Sequence, residues 1–79
     1  MITGADLKRL VDMGVQPRIT AIRLSGTAYG VVANIDGKTP PQGVAEPGSD
    51  NILRFDSLDE VASFLSRIDI KGFQVDLKG

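Results

Sequence analysis

The side chains that most often carry out catalysis or bind metals are missing from this sequence. It contains no cysteine and no histidine. Disulfides are therefore excluded, and a structural zinc site is not expected because zinc prefers sulfur and imidazole ligands. Nucleophilic triads and metal hydrolases also lose the histidine that they usually need. From these residue types we predict that the protein is not an enzyme and has no cofactor or metal.

Two other kinds of chemistry are only weakly indicated. Ten aspartate and glutamate residues could provide an acid–base pair, but they fall in predicted caps, turns and exposed helix faces, where solvation is the expected role. The tripeptide Gly37-Lys38-Thr39 resembles the end of a phosphate-binding loop. That motif requires a glycine five positions before Gly37, where this chain has Val32, and two prolines follow where a helix should begin. We therefore reject a nucleotide-binding loop.

The sequence has no feature that indicates strong nucleic-acid binding, a membrane helix or secretion. Nine lysines and arginines stand against ten acids, whereas nucleic-acid-binding proteins usually show a basic excess. No stretch approaches the roughly 20 apolar residues that a membrane helix needs. The first four residues lack the basic and apolar regions of a secretory signal. We therefore expect a cytoplasmic location and no membrane contact.

Two helices are predicted from their start and end signals. Thr3 is a candidate N-cap for a helix over residues 4–13, and Gly14 stands where a helix would end in a left-handed residue. Ser57 and Glu60 form the pattern of a capping box, and apolar residues follow at helical spacing. The sequence therefore predicts a second helix that begins after Ser57.

A β-hairpin is predicted between the helices. Residues 18–24 and 28–35 are rich in β-branched side chains, with a turn at residues 25–27. The turn can centre on either of two residue pairs, and both choices pair even-numbered residues of the first strand with odd-numbered residues of the second. The face expected to lie under the helices then carries Thr20, Ile22, Leu24, Tyr29, Val31, Ala33 and Ile35. The opposite face carries Ile19, Ala21, Arg23, Ala28, Gly30, Val32 and Asn34.

One loop and two more strands complete the predicted fold. Residues 38–50 contain three prolines and two glycines and predict a flexible loop. Residues 51–55 and 73–77 alternate apolar and polar side chains and predict the third and fourth strands. The sequence therefore predicts a single α+β domain over residues 1–79 with the element order α-β-β-β-α-β. We expect an antiparallel meander with both helices on one face of the sheet.

The opposite face of the hairpin suggests a function because it is too apolar for an ordinary solvated surface. Small domains often rely on disulfides, metals or a partner subunit, and the residue types here leave only the partner. We predict a small protein-interaction module, either a homodimer or a complex with another protein, that uses this flat face or the last strand. The other reading is that these residues only favour strand formation and are shielded by their neighbours. The interface candidates are Ile19, Ala21, Gly30 and Val32.

Nucleic-acid binding is the alternative function. The order of a helix, three strands and a helix is similar to that of the double-stranded-RNA-binding domain. That family has a lysine-rich start to its second helix, where this chain has Asp59 and Glu60. Three strands followed by a helix also resemble the arm-binding domains of phage-type integrases, which contact DNA with the sheet. This resemblance implies contacts from Arg23, Lys38 and Arg54. It also implies a weaker contact from Arg18, which strand parity places on the helix-covered face or at its rim.

Overall fold

The computed structural model describes residues 1–37 and 39–77, which form two helices and a five-stranded sheet. Along the chain the elements are β1 (Ile2–Thr3), α1 (Gly4–Asp12), β2 (Arg18–Arg23), β3 (Tyr29–Asn34), β4 (Gln42–Ala45), α2 (Leu58–Arg67) and β5 (Gln74–Asp76). The strand order across the sheet is β1-β4-β3-β2-β5. The predicted α+β class is therefore confirmed.

The sheet is mixed, so the prediction of a purely antiparallel meander was wrong. The three central strands β4, β3 and β2 are antiparallel neighbours, whereas β1 pairs with β4 and β5 pairs with β2 in the parallel direction. A helix that follows a strand brings the chain back to the end from which it started, and the next strand then runs in the original direction. β1 comes directly before α1 in the sequence, and β5 is the strand that follows α2. The two strand pairs at the edges of the sheet, β1 with β4 and β5 with β2, are both parallel.

Helix α1 begins and ends where the sequence predicts. The Thr3 side-chain oxygen accepts a hydrogen bond from the Asp6 backbone N–H at 3.1 Å, which satisfies one free amide of the first turn. At the other end Gly14 has φ 95°, and the Val15 N–H donates to the Leu10 carbonyl at 3.0 Å. This is the left-handed helix end that glycine favours.

Helix α2 has the predicted capping box. The Glu60 backbone N–H donates to the Ser57 side-chain oxygen at 3.2 Å, and the Glu60 carboxylate accepts from the Asp56 N–H at 2.7 Å. The carboxylate thus binds the amide one residue before the cap residue. The helix ends with Asp69 in the left-handed region at φ 63°, a conformation that aspartate tolerates better than most residues.

The hairpin has a different register from the predicted one. The Leu24 N–H donates to the Ala28 carbonyl at 2.8 Å, so the loop between the strands has three residues. Odd-numbered residues consequently pair with odd-numbered residues, as in Ile19 with Ala33 and Ala21 with Val31. Since side chains alternate between faces, this shift of one residue moves the odd-numbered residues of β2 to the side predicted for the even-numbered ones.

Strand β4 lies within residues 38–50, which were predicted as a loop, so that prediction does not hold for Gln42–Ala45. This strand fits between β1 and β3, where Val44 is level with Ile2 and Gly43 with Val32. The predicted third strand, residues 51–55, joins its neighbours only through isolated bridges. Pairing on both sides outweighs the poor strand propensity of a segment that begins after two prolines and contains glycine.

Both helices and the central strands contribute to one hydrophobic core. Leu7 of α1 and Val61 and Leu65 of α2 are buried in it. We call the side of the sheet that contributes to this cluster the core face and the other side the open face. The core-face residues of the central strands are Ile19, Ala21, Val31, Ala33 and Val44.

Candidate interaction surfaces

Two of the four predicted interface residues lie in the core. Ile19 and Ala21 are 2% and 0% exposed, and both belong to the core face. They were expected on the opposite face because a shorter turn was assumed, and the three-residue loop reverses that assignment. A partner protein therefore has no access to either side chain in the folded chain.

The other two predicted interface residues, Gly30 and Val32, lie on the open face. Gly30 is buried because the Ile52 side chain covers it: a Cβ atom on Gly30 would lie only 2.8 Å from the Ile52 Cδ1. A Cβ atom on Gly43, in the neighbouring strand, would lie 3.5 Å from the same atom. Ile52 thus lies across two glycines and fills the centre of the predicted flat surface. Val32 remains partly exposed on that face.

Around Val32 the open face has further partly exposed residues, among them Thr20 and Ile22 on β2 and Asn34 on β3. The packing of Ile52 could not be read from the sequence because residue 52 lies more than 20 positions from Gly30 and no local pattern connects them.

The edge strand β5 is the more exposed apolar surface. Val75 is level with Ala21 of β2, so its side chain lies on the core-face side, yet it is 42% exposed. Leu77, just beyond the strand, is 62% exposed, whereas Phe73 packs partly against the core. The predicted strand is therefore present over Gln74–Asp76, shorter than the predicted residues 73–77, and the described part of the chain leaves Val75 and Leu77 exposed.

Of the predicted nucleic-acid-binding residues, Arg23 does not lie on a basic surface. Arg23 lines a shallow cavity that Asp56 and Asp59 also line, and these carboxylates offset its charge. The Arg54 guanidinium donates a hydrogen bond to the Ser25 hydroxyl at 3.2 Å, in the hairpin loop. Lys38 lies outside the described residues.

An apolar groove of about 400 Å³ lies between the start of α1 and the side of α2. The Phe64 ring forms part of its wall and lies so close to α1 that a Cβ atom on Gly4 would be 3.1 Å from it. None of the described residues that line this groove is charged. The groove was not predicted, and its chemistry does not select a particular ligand.

The described residues contain no group of three or more acidic, histidine or cysteine side chains arranged to hold a metal ion. Within residues 1–37 and 39–77, neither helix is long and apolar enough to cross a membrane. Comparison of the chain with protein-family models, curated proteins and solved structures gave no match.

Proposed function

We propose that this chain is a small, non-enzymatic protein-interaction module that self-associates through the edge strand β5. The observation that carries the proposal is the exposure of apolar side chains on a strand at the edge of the sheet. β5 pairs with β2 on one side, and no described strand lies on its other side. Val75 and Leu77 are both exposed there.

The physical reason is that an exposed strand edge can bind another strand. The outer side of an edge strand presents backbone N–H and C=O groups that a second chain can pair with, and native proteins usually protect such edges with charges, prolines or bulges. Residues 74–76 contain one charged residue, Asp76, and no proline. A second strand laid against β5 would satisfy its backbone and cover Val75 at the same time.

The open face supports association less well than β5 does. We infer that both helices cover the core face, because Leu7 of α1 and Val61 of α2 belong to one cluster with the core-face strand residues. The open face is then the broad surface left for a partner. Ile52 already occupies its centre, however, and Val32 is only partly exposed. We therefore assign it a secondary role at most.

We favour the interaction module over the nucleic-acid alternative because of charge. The chain has a net charge of −1, and the cavity lined by Arg23 contains two carboxylates. Affinity for nucleic acid depends on the neutralisation of phosphates by several basic side chains. The charge of the described residues therefore supports the alternative less well than the interaction module.

Two matched variants test the proposal. Val75→Lys places a charge on the β5 edge, and Val32→Lys places the same charge on the open face. We expect Val75→Lys to keep the protein monomeric in sedimentation velocity at concentrations where the unchanged protein associates, with Val32→Lys associating normally. Circular dichroism on both variants confirms that the fold is retained. Loss of association in Val32→Lys alone would contradict a role for β5.

A further inference from the structure

We infer that β5 pairs with the β5 of a second copy in one antiparallel register, with a two-fold axis through Val75; this inference rests on the self-association proposed above. The observations are the side-chain alternation over residues 73–77, the position of β5 at the sheet edge, and the exposure of Val75 and Leu77. The strand that pairs with the outer side of β5 in this proposal is the β5 of a second copy of this chain.

In this register apolar side chains lie opposite apolar ones, and polar side chains lie opposite polar ones. Val75 lies opposite Val75 of the second copy, and Phe73 lies opposite Leu77. Directly opposed side chains in an antiparallel pair share a face and interact, and apolar pairs stabilise the sheet. The three apolar residues of both copies would form one continuous strip. On the other face Gln74, a hydrogen-bond donor, lies opposite the carboxylate of Asp76.

Neighbouring registers are less favourable. With the axis at Asp76, Phe73 would have no apolar residue opposite it, which leaves its ring outside the apolar strip. With the axis at Gln74, Leu77 would lie opposite Lys71, which leaves part of the apolar strip unpaired. Of these three axes, only the one at Val75 pairs every apolar residue of 73–77 with an apolar partner.

The Val75 register also aligns the two cores. A two-fold axis through a residue places residues of the same parity opposite each other, so the core faces of both copies lie on the same side of the joined sheet. Val75 has the core-face orientation, level with Ala21. Pairing about this residue would therefore extend the apolar layer from one core to the other and cover the side chains that are now exposed.

Single-cysteine variants test the register, because the chain has no cysteine of its own. The variants are Gln74→Cys, Val75→Cys and Asp76→Cys. Opposed residues in an antiparallel pair have Cβ atoms about 4.5–5.5 Å apart, close to the separation that a disulfide requires, whereas residues one step from the axis have partners about 7–8 Å away. Each variant is oxidised in a glutathione buffer, and its disulfide-linked dimer is measured by non-reducing electrophoresis.

We expect Val75→Cys to give at least about fivefold more linked dimer than either neighbour, with the difference abolished in denaturing urea. A maximum at position 74 or 76, or equal linkage at all three positions, would overturn the register. If the unchanged protein associates by sedimentation but linkage does not peak at residue 75, only the register is wrong. If the unchanged protein stays monomeric, the proposed self-association is wrong as well.

Discussion

At the scale of single residues, Gly30 shows how a missing side chain can be a packing requirement. Its position on β3 leaves room for the Ile52 side chain, whose Cδ1 occupies the space that a Cβ atom on Gly30 would approach to 2.8 Å. Leu24 closes the same space from another side, at 3.3 Å. Gly30 therefore lets a segment beyond β4 pack onto the open face of the hairpin.

We predict that Gly30→Ala lowers the free energy of unfolding by about 1–2 kcal/mol, because it overpacks this contact. Ile52→Val removes the Cδ1 atom, so the double variant should lose at least about 0.5 kcal/mol less than the sum of the single losses. Urea unfolding of the four proteins measures the coupling.

Gly43→Ala is the matched control for Gly30→Ala, because both glycines lie in strands under Ile52. The nearest atoms to its added Cβ would lie at 3.4 and 3.5 Å, which is ordinary contact. We expect a change within about 0.5 kcal/mol. Strict additivity between residues 30 and 52 would show that Ile52 does not pack on Gly30.

At the scale of elements, the residues of the helix caps specify where the helices begin and end. The cap of α2 combines the Ser57 oxygen with the Glu60 carboxylate, and together they bind two backbone amides. The acidic groups also lie near the positive end of the helix dipole. The start of this helix is therefore specified by its own residues.

We predict that Ser57→Ala costs about 1 kcal/mol of stability, because the Glu60 amide loses its acceptor. Ser63→Ala, an exposed site inside the same helix, is the control. Alanine favours helix there, so this variant should be neutral or slightly stabilising. Equal losses from the two variants in thermal or urea unfolding would mean that the cap does not act as described.

The pairing of residues 51–53 with the end of β4 has its own test, since paired and unpaired backbone amides differ in exchange rate. The Leu53 N–H donates to the Val44 carbonyl and the Glu46 N–H donates to the Asn51 carbonyl, each at 2.8 Å. We expect both amides to exchange slowly by NMR, with protection comparable to that of Tyr29 and Phe55, which donate across the adjacent bridge. Exchange at the rate of an unstructured peptide would show that residues 51–53 do not pair with the end of β4.

The elements that the sequence predicted are those whose signals are local. Thr3, Gly14 and Ser57 mark helix ends by their own hydrogen bonds and backbone angles, and the two hairpin strands have clear β propensity. The hairpin register could not be predicted because one extra loop residue reverses which side of β2 is buried. Strand β4 was missed because it depends on pairing with β1 and β3 and not on its own residues.

The candidate interaction surface on β5 was predicted only in part, because its residue pattern is local but its place in the sheet is not. The alternation of residues 73–77 pointed correctly to a strand with one apolar face. Its place at the sheet edge, beside β2, is set by the path of the chain through α2, and no residue pattern encodes it. The loss of Ile19 and Ala21 from the predicted surface follows from the register alone.

At the scale of the whole molecule, the small size of the domain means that the proposed association would add to its stability. The chain has 79 residues and no cysteine, and domains of this size bury a limited apolar core. The core cluster takes up residues from both helices and the central strands and leaves Val75 exposed at one end of the sheet. A second copy joined at β5 would extend that core at the point where it is least covered.

The molar mass in solution as a function of concentration tests self-association most directly. An edge pair built on a strand of 3 residues makes a small interface, for which we expect a dissociation constant between about micromolar and about millimolar. Light scattering should therefore be measured up to about 1 mM protein. We predict a rise from the monomer mass of 8.4 kDa toward twice that value. A mass that stays at 8.4 kDa over the entire range would contradict self-association.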